Sequence, residues 1–282
     1  MLGGAYTQGS ALTIGALAID ASASLGGSGT LTSTIADAGT LDASGGTLTV
    51  KGAVSSAGTL AAASGAVLDL LGGGSFGGAL AGTGTIDIAA ALTLTEGASI
   101  SAANVQQTAD VTLGASTSLT EAAGSTLTID AAKKATVTIS GPGSASFSNA
   151  GSLVANGVGT AEANVAFINS GVVSATAGKL EFLGAVTNNG TIDAASAYLS
   201  IKTDVSGTGT MEVGAAGTLS LLKGAGIGQP VDFLAAGGLL DLTKAIDFKG
   251  TISGFGASDT IGMLKTKETS YSFSVSVVAA AP

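Results

Sequence analysis

Residues 171–222 decide the fold, because three successive segments there lie over one another with almost no adjustment. They read GVVSATAGKLEFLGAVTNN, GTIDAASAYLSIKTDVSGT and GTMEVGAAGTLSLL. The segments begin at Gly171, Gly190 and Gly209, so the spacings are 190 − 171 = 19 and 209 − 190 = 19 residues. A repeat this short cannot bury its own apolar side chains, and each copy must therefore stack on its neighbours in an elongated array.

Large apolar residues recur at fixed distances from each opening glycine, at offsets of 2, about 9, about 11 and 15 residues. Small or polar residues stand between them, as in Leu180-Glu181-Phe182, and this two-residue period is typical of β-strands. Strands that return to the same phase form parallel ladders about 4.8 Å apart. The core columns predicted in this way contain Leu41, Leu48, Val50, Val173, Leu180, Phe182, Ile192, Leu199, Ile201, Met211, Leu219 and Leu221.

The spacing therefore predicts an all-β chain that forms a single right-handed parallel β-helix, or β-solenoid. We expect about eleven to thirteen coils of roughly 19–20 residues. Regular coils are predicted over residues 1–223. Residues 224–282 are predicted to form the last, less regular coils and a C-terminal strand, SYSFSVSVV, which either caps the array or acts as a polymerising edge.

The register also extends upstream. Gly39 opens a copy with Leu41, Leu48, Val50 and Val54 at the later offsets, and further copies open at Gly58 and Gly84. The interval 84 − 58 = 26 predicts an extra corner loop at residues 71–78, LGGGSFGG. The interval from Gly124 to Gly151, 151 − 124 = 27, predicts a bulged corner at the Gly-Pro-Gly of residues 141–143.

Composition excludes several classes of function. The 282 residues include 45 glycines, ten lysines and no arginine, histidine or cysteine, and the net charge is −9. Nucleic-acid binding needs clustered cations, so a nucleic-acid partner is not expected. A membrane span is not expected either, because no run of eighteen apolar residues is present. The lack of cysteine fits an exported protein, but the first ten residues do not resemble a signal peptide. Either the sequence is a fragment of a longer protein, or export uses a signal elsewhere, such as at the C-terminus.

Several stretches resemble the β-strand-repeat regions of large exported bacterial adhesins and autotransporter-type passenger domains. They are FINSG at 167–171, VTNNGTIDA at 186–194, GTGT at 207–210 and FKGTISGFGASDTI at 248–261. The resemblance covers residues 150–262 well and the earlier part loosely. It implies an extracellular or cell-surface location and a structural or adhesive role.

Acidic residues offer the sharpest chemical hypothesis. Offset 3 from an opening glycine is predicted to face outward, and it holds Asp42, Asp87, Asp193 and Glu212. In adjacent coils, Asp193 and Glu212 would stand about 5 Å apart, which suits a Ca²⁺ ion or the carboxylate pair of a retaining glycosidase. The alternative is a solvated acidic stripe that keeps the rod soluble. No Gly-Gly-x-Gly-x-Asp nonapeptide accompanies these acids, and without His, Arg, Trp or Cys an enzyme is not expected.

Threonine pairs offer a further surface. Two hydroxyls separated by one inward residue would both point outward, and a flat ladder of such pairs could bind ice or another crystal surface. In later coils the equivalent positions hold Lys179/Glu181 and Tyr198/Ser200, which breaks the ladder. The pairs are Thr30/Thr32, Thr47/Thr49, Thr93/Thr95, Thr126/Thr128 and Thr136/Thr138.

Taken together, the sequence predicts a secreted structural or adhesive solenoid with no enzymatic activity. Its expected partner is a second copy, joined head to tail in a fibre, or a polymer of the cell surface or matrix. The alternative is a glycan-binding or carbohydrate-active rod that uses the outward acids. No cofactor is expected, apart from the candidate calcium ion at Asp193 and Glu212.

Overall fold

The computed structural model describes residues 5–12, 15–223 and 228–263. Within them the chain consists of 35 short strands and one 3-10 helix, Ala245–Asp247. All the strand pairings are parallel, and each joins residues one coil apart. The structure therefore confirms an all-β parallel solenoid.

Short alternating strands follow one another along the whole described chain. The first twelve are β1 (Ala5–Gln8), β2 (Ala11–Leu12), β3 (Ala16–Ile19), β4 (Ser24–Leu31), β5 (Thr34–Asp37), β6 (Thr40–Val50), β7 (Val54–Ser56), β8 (Thr59–Ala62), β9 (Val67–Leu70), β10 (Gly74–Phe76), β11 (Ala79–Gly82) and β12 (Thr85–Ile88). The middle twelve are β13 (Leu92–Leu94), β14 (Ser99–Ile100), β15 (Asn104–Gln107), β16 (Val111–Leu113), β17 (Ser118–Glu121), β18 (Thr126–Ile129), β19 (Thr136–Ser140), β20 (Ser146–Asn149), β21 (Ser152–Ala155), β22 (Thr160–Asn164), β23 (Ala166–Asn169) and β24 (Val172–Ala175). The last eleven are β25 (Lys179–Phe182), β26 (Val186–Asn188), β27 (Thr191–Ala194), β28 (Tyr198–Ile201), β29 (Val205–Ser206), β30 (Thr210–Val213), β31 (Thr218–Leu221), β32 (Val231–Phe233), β33 (Leu239–Leu242), β34 (Ile252–Ser253) and β35 (Thr260–Met263).

Each coil contributes strands to three faces. Face III is a sheet of thirteen strands, β3-β5-β7-β10-β13-β16-β19-β22-β25-β28-β31-β33-β35, which span about twelve turns. Face I runs from β1 through β8, β17 and β23 to β29, and face II runs from β2 through β9, β18 and β27 to β34. Faces I and II count as one sheet of 22 strands, because β4 and β6 run around their shared corner without a break.

The interior is filled by one column of apolar side chains after another. On face II, Val173 stands below Ile192 and Ile192 below Met211. All twelve core residues named from the sequence are no more than 1% exposed. Because the side chains of a strand alternate, the residues between the core residues point out of the coil.

Glycine is required at one corner of the most regular coils. A Cβ built on Gly190 would overlap the carbonyl oxygen of Gly171, and one on Gly209 would overlap that of Gly190. The same collision occurs between Gly58 and the carbonyl oxygen of Gly39. The spacing of nineteen residues is therefore the spacing at which one corner lies directly on the next.

The upstream copies do not occupy the face that the offsets suggested. Leu41, two residues after Gly39, lies on face I, whereas Val173, two residues after Gly171, lies on face II. The glycine corner stands between faces III and I in the first coils and between faces I and II from Gly84 onward. The prediction that the upstream and later copies are equivalent by their glycines was therefore wrong, because it placed upstream residues one face away from where they lie.

This shift of corner also removes the predicted extra loop. Residues 71–78 contain β10, an ordinary strand of face III that pairs with β7 and β13. The predicted bulged corner at residues 141–143 is confirmed, because Ala145 N donates to Pro142 O across a turn there. That coil is long, with Ser146 standing 28 residues after its ladder partner Ser118.

Beyond residue 223, the described chain keeps to the same ladders. Strand β32 pairs with β30 on face II, and β33 pairs with β31 on face III. The SYSFSVSVV segment, predicted to cap or extend the array, lies outside the described residues. Among the described helices none is long and apolar enough to cross a membrane.

Candidate functional site

The structure brings Asp193 and Glu212 together on the outer side of face II. They are direct ladder partners in β27 and β30, and Asp232 of β32 follows Glu212 in the next coil. Ser174 and Ser253 stand at the two ends of this row, and the Ser253 hydroxyl donates to Asp232. The carboxylates therefore stand in single file, one per coil.

Burial and mutual repulsion both act on these acids. Partial burial raises the pKa of Glu212, and the charges of Asp193 and Asp232 raise that pKa further. Burial also raises the pKa of Asp193, although a hydrogen bond from Ser174 opposes this effect. No ammonium group is among the causes of either shift, so the row concentrates negative charge that its neighbours do not neutralise.

The other two outward acids lie elsewhere. Asp87 is also on face II, but it belongs to a separate pair with Asp69. Burial raises the pKa of Asp87, and the charges of Asp69 and Asp130 add to the shift. Asp42 lies on face I between Gly26 and Ala61. The four acids at offset 3 do not form one continuous stripe.

The acidic rows of face II stand apart from the groove of face III. Within the described ranges, no group of three or more acidic residues converges as metal ligands would. A groove of about 600 Å³ lies on the outer side of face III, lined by small residues such as Ala18, Ala36, Ser55 and Ser75. The acids of face II are not among the residues that line it.

The threonine pairs are divided between two faces. Thr47/Thr49 and Thr126/Thr128 lie on face II, whereas Thr93/Thr95 and Thr136/Thr138 belong to face III or its corners. Thr49 stands next to Asp69, and Thr128 next to Val154. The pairs therefore do not make the single flat array that an ice-binding surface would need.

A cluster that the sequence did not suggest lies on the outer side of face III. Lys179 and Lys202 each place Nζ 2.9 Å from the same Oε1 of Glu181, and Lys179 Nζ lies 5.2 Å from the ring centre of Tyr198. Burial raises the pKa of Glu181, but the hydrogen bonds and charges of the two lysines outweigh it and hold that pKa below its usual range. Glu181 is only 5% exposed, although its position in β25 faces outward.

Buried amides form the most extended polar array of the interior. Asn149 Nδ2 donates to Asn169 Oδ1 at 2.8 Å, and Asn169 Nδ2 donates to Asn188 Oδ1 at 2.8 Å. Asn188 Nδ2 donates in turn to Gln229 Oε1 at 3.0 Å. We call these four residues the amide column. It also satisfies backbone groups at the corner between faces I and II, where Gly190 N donates to Asn188 Oδ1 and Asn169 Nδ2 donates to Thr191 O.

The sequence contains a signal for the amide column. An asparagine stands two residues before each opening glycine at Gly151, Gly171 and Gly190. The asparagine spacings, 169 − 149 = 20 and 188 − 169 = 19, place the three amides in successive coils. Their inward direction follows from the strand alternation, which also makes Phe147, Phe167 and Val186 inward.

Comparison with protein-family models, with curated proteins and with solved structures finds no match for this chain. The resemblance to adhesin and autotransporter repeat regions therefore stays a prediction, carried by the sequence segments that suggested it.

Proposed function

We propose that this chain is a structural module of an exported bacterial adhesin or surface protein. In this role it is a stiff β-solenoid rod that acts outside the cell and assembles end to end with further copies. The observation that carries the proposal is the continuous apolar interior, which runs through about twelve turns of the described chain.

A rod of this construction suits a mechanical role. About twelve turns at the spacing of parallel strands give a length on the order of 55–60 Å. Coils are held to one another by three ladders as far as β29 and by two ladders beyond it, and a cavity lined by core residues such as Leu94 and Leu119 has a volume of about 10 Å³, too small for a ligand. Stiffness and length, rather than a pocket, are the properties that such a chain offers.

The last described coil supports end-to-end assembly. Within the described residues, β35 pairs on one side only, with β33. Its inward side chains Ile261 and Met263 are partly exposed, whereas their counterparts Leu240 and Leu242 in β33 are buried. Either the predicted C-terminal strand of the same chain or a second copy that continues the ladders would cover these apolar groups and pair the outer edge of β35.

Electron microscopy of the purified chain tests the proposal. We expect filaments whose axial repeat matches the length of one rod. Ile261→Lys should abolish them by placing a charge in the interface, whereas Thr260→Lys, on the outer side of the same strand, should leave them intact. Particles that stay single under all conditions, or filaments that survive Ile261→Lys, would overturn end-to-end assembly.

A second candidate function rests on the paired carboxylates of Asp193 and Glu212. We propose glycan binding on this part of face II as the alternative, because hydroxyl groups of a sugar are suited to donate to adjacent carboxylates. The double variant Asp193→Asn, Glu212→Gln should then lose binding on a glycan array, with the separate acid Asp42→Asn as a control. Unchanged glycan binding in the double variant would dispose of this alternative.

A further inference from the structure

The amide column stands directly above a residue that is not an amide. Its lowest asparagine, Asn149, stands directly above Glu121, the last residue of β17. Glu121 is 2% exposed, so a carboxyl group occupies the place in the interior that asparagines fill in the next three coils. The coil that separates the two is the long one, with 28 residues between ladder partners.

Hydrogen bonding in the column has one direction. In each pair of adjacent asparagines, the Nδ2 group of the lower residue donates to the Oδ1 atom of the residue above it. Asn149 Oδ1 accepts a hydrogen bond from Gly151 N at 3.0 Å. An ionised carboxylate below Asn149 can only accept hydrogen bonds, whereas a neutral carboxyl group carries one O–H donor. Only the neutral form of Glu121 can therefore act as an amide does in the coils above.

At Glu121, burial outweighs the hydrogen bonds from Leu127, Ser152 and Ser125 that favour an ionised carboxylate. Its Oε1 accepts a hydrogen bond from Leu127 N at 3.0 Å, but its buried Oε2 has no hydrogen-bond partner within the described chain. The flanking strands β14, β18 and β20 direct Ile100, Leu127, Phe147 and Asn149 inward, and none of these side chains titrates. A buried carboxylate without a cation is strongly disfavoured.

We propose that Glu121 forms a pH-sensitive contact between two coils of the rod, which we call the joint. The joint is stable when the carboxyl group of Glu121 is neutral and is weakened when that group ionises. The joint lies between the long coil and the amide column. It makes the strength with which these adjacent coils are held together depend on pH. It does not depend on the extracellular role proposed above.

The direction of the effect follows from the protonation equilibrium. Burial raises the pKa of Glu121 from 4.5 to about 7, although hydrogen bonds from the backbone of Leu127 and Ser152 oppose the shift. Between these two values the folded chain keeps a proton that the unfolded chain has lost. The contribution of Glu121 to stability is therefore fully present below pH 4.5 and is lost as the pH rises through about 7.

Glu121→Gln in the full chain is the matched variant, because it keeps the shape of the side chain, supplies a permanent donor and does not titrate. We expect the folding equilibrium constant of the native chain to fall on the order of 100-fold relative to the variant between pH 5 and pH 8. Denaturant unfolding at the two pH values measures this ratio. Equal pH dependence in both chains would overturn the proposal.

Hydrogen exchange tests whether the effect is local. At pH 8, the amides of Leu127 and Gly151 should exchange faster in the native chain than in Glu121→Gln, while that of Gly190, higher in the column, should change less. A uniform change along the rod would contradict a joint at this level. Should the variant fail to fold, the carboxyl carbon of Glu121 in the native chain still decides by NMR titration, because a midpoint near 4.5 would sink the idea.

Discussion

The coils around residues 37–62 and those around residues 149–194 have the same spacing but different corners. In the first region a carboxyl group and a hydroxyl group fill the polar position: Ser56 Oγ donates to Asp37 Oδ2 at 2.7 Å, and Gly39 N donates to Asp37 Oδ1 at 2.9 Å. In the second region the amide column fills it. The first corner joins faces III and I, and the second joins faces I and II.

The comparison separates what the two regions share from what they do not. Both place a glycine two residues after a buried polar side chain. Gly58 in the first region and Gly171 and Gly190 in the second each stack on the carbonyl oxygen of the glycine below. The identity of the polar group differs, and so does the number of coils that it links. Backbone contact therefore sets the nineteen-residue spacing, while the polar side chain decides how strongly successive corners are bound together.

The shared feature predicts the largest effect. Gly190→Ala and Gly58→Ala should each destabilise the chain by about 3 kcal/mol, because the added methyl group overlaps a backbone carbonyl that cannot move without breaking a ladder. Gly143→Ala is the control, since a Cβ there meets no atom within 4 Å. Denaturant unfolding measures all three. A large loss at only one of the two corners would show that the regions are not built alike.

The polar groups predict a smaller effect that differs between the regions. Asn169→Ala removes hydrogen bonds to coils below and above it and should cost about 3 kcal/mol, whereas Ser56→Ala should cost about 1 kcal/mol. The exposed Asn164→Ala serves as the control for removing an amide. Equal losses at Asn169 and Ser56, measured by thermal or denaturant unfolding, would remove the distinction between the two corners.

The smallest predicted effect is the change in stability with pH that comes from Asp37 and from Glu181, and it has opposite signs at the two residues. Burial raises the pKa of Asp37, although bonds from Ser56 and Gly39 oppose it, so Asp37 contributes stability that falls as the pH rises above 3.8. Lys179 and Lys202 hold the pKa of Glu181 down against burial, so its contribution is lost as the pH falls below 4.5.

The variants Asp37→Asn and Glu181→Gln isolate these two contributions. Subtracting the pH dependence of each variant from that of the native chain should leave curves of opposite slope in acid. Unfolding midpoints followed from pH 3 to pH 7 provide the measurement. Slopes of the same sign would show that, at Asp37 or at Glu181, the direction of the pKa shift is wrong.

The sequence predicted the strands and the core because alternation is local. Leu180, Phe182, Leu199 and Ile201 are inward for the same reason that their neighbours are outward, and each copy repeats the pattern. The face to which a copy belongs was not predictable from the glycine alone, because a glycine is needed at whichever corner brings two backbones into contact. Leu41 and Val173 show this difference.

The polar contacts were harder to predict, since they depend on which side chains meet between coils. The pairing of Lys202 with Glu181 joins residues of adjacent coils. Asp193 and Glu212 were placed correctly as neighbours, because they stand nineteen residues apart on the same face. Asp42 was assigned to their row through the mistaken equivalence of corners.

The stacked glycine corners restrict how such a rod changes its length. An insertion of a few residues within a strand would carry the next glycine away from the carbonyl oxygen on which it rests and shift every later coil out of phase. A duplication of residues 172–190, one complete turn, would instead set a new corner directly on the old one. Lineages of this protein should therefore grow or shrink by whole turns, leaving the cross-section unchanged while the reach of the molecule alters in steps of about 4.8 Å.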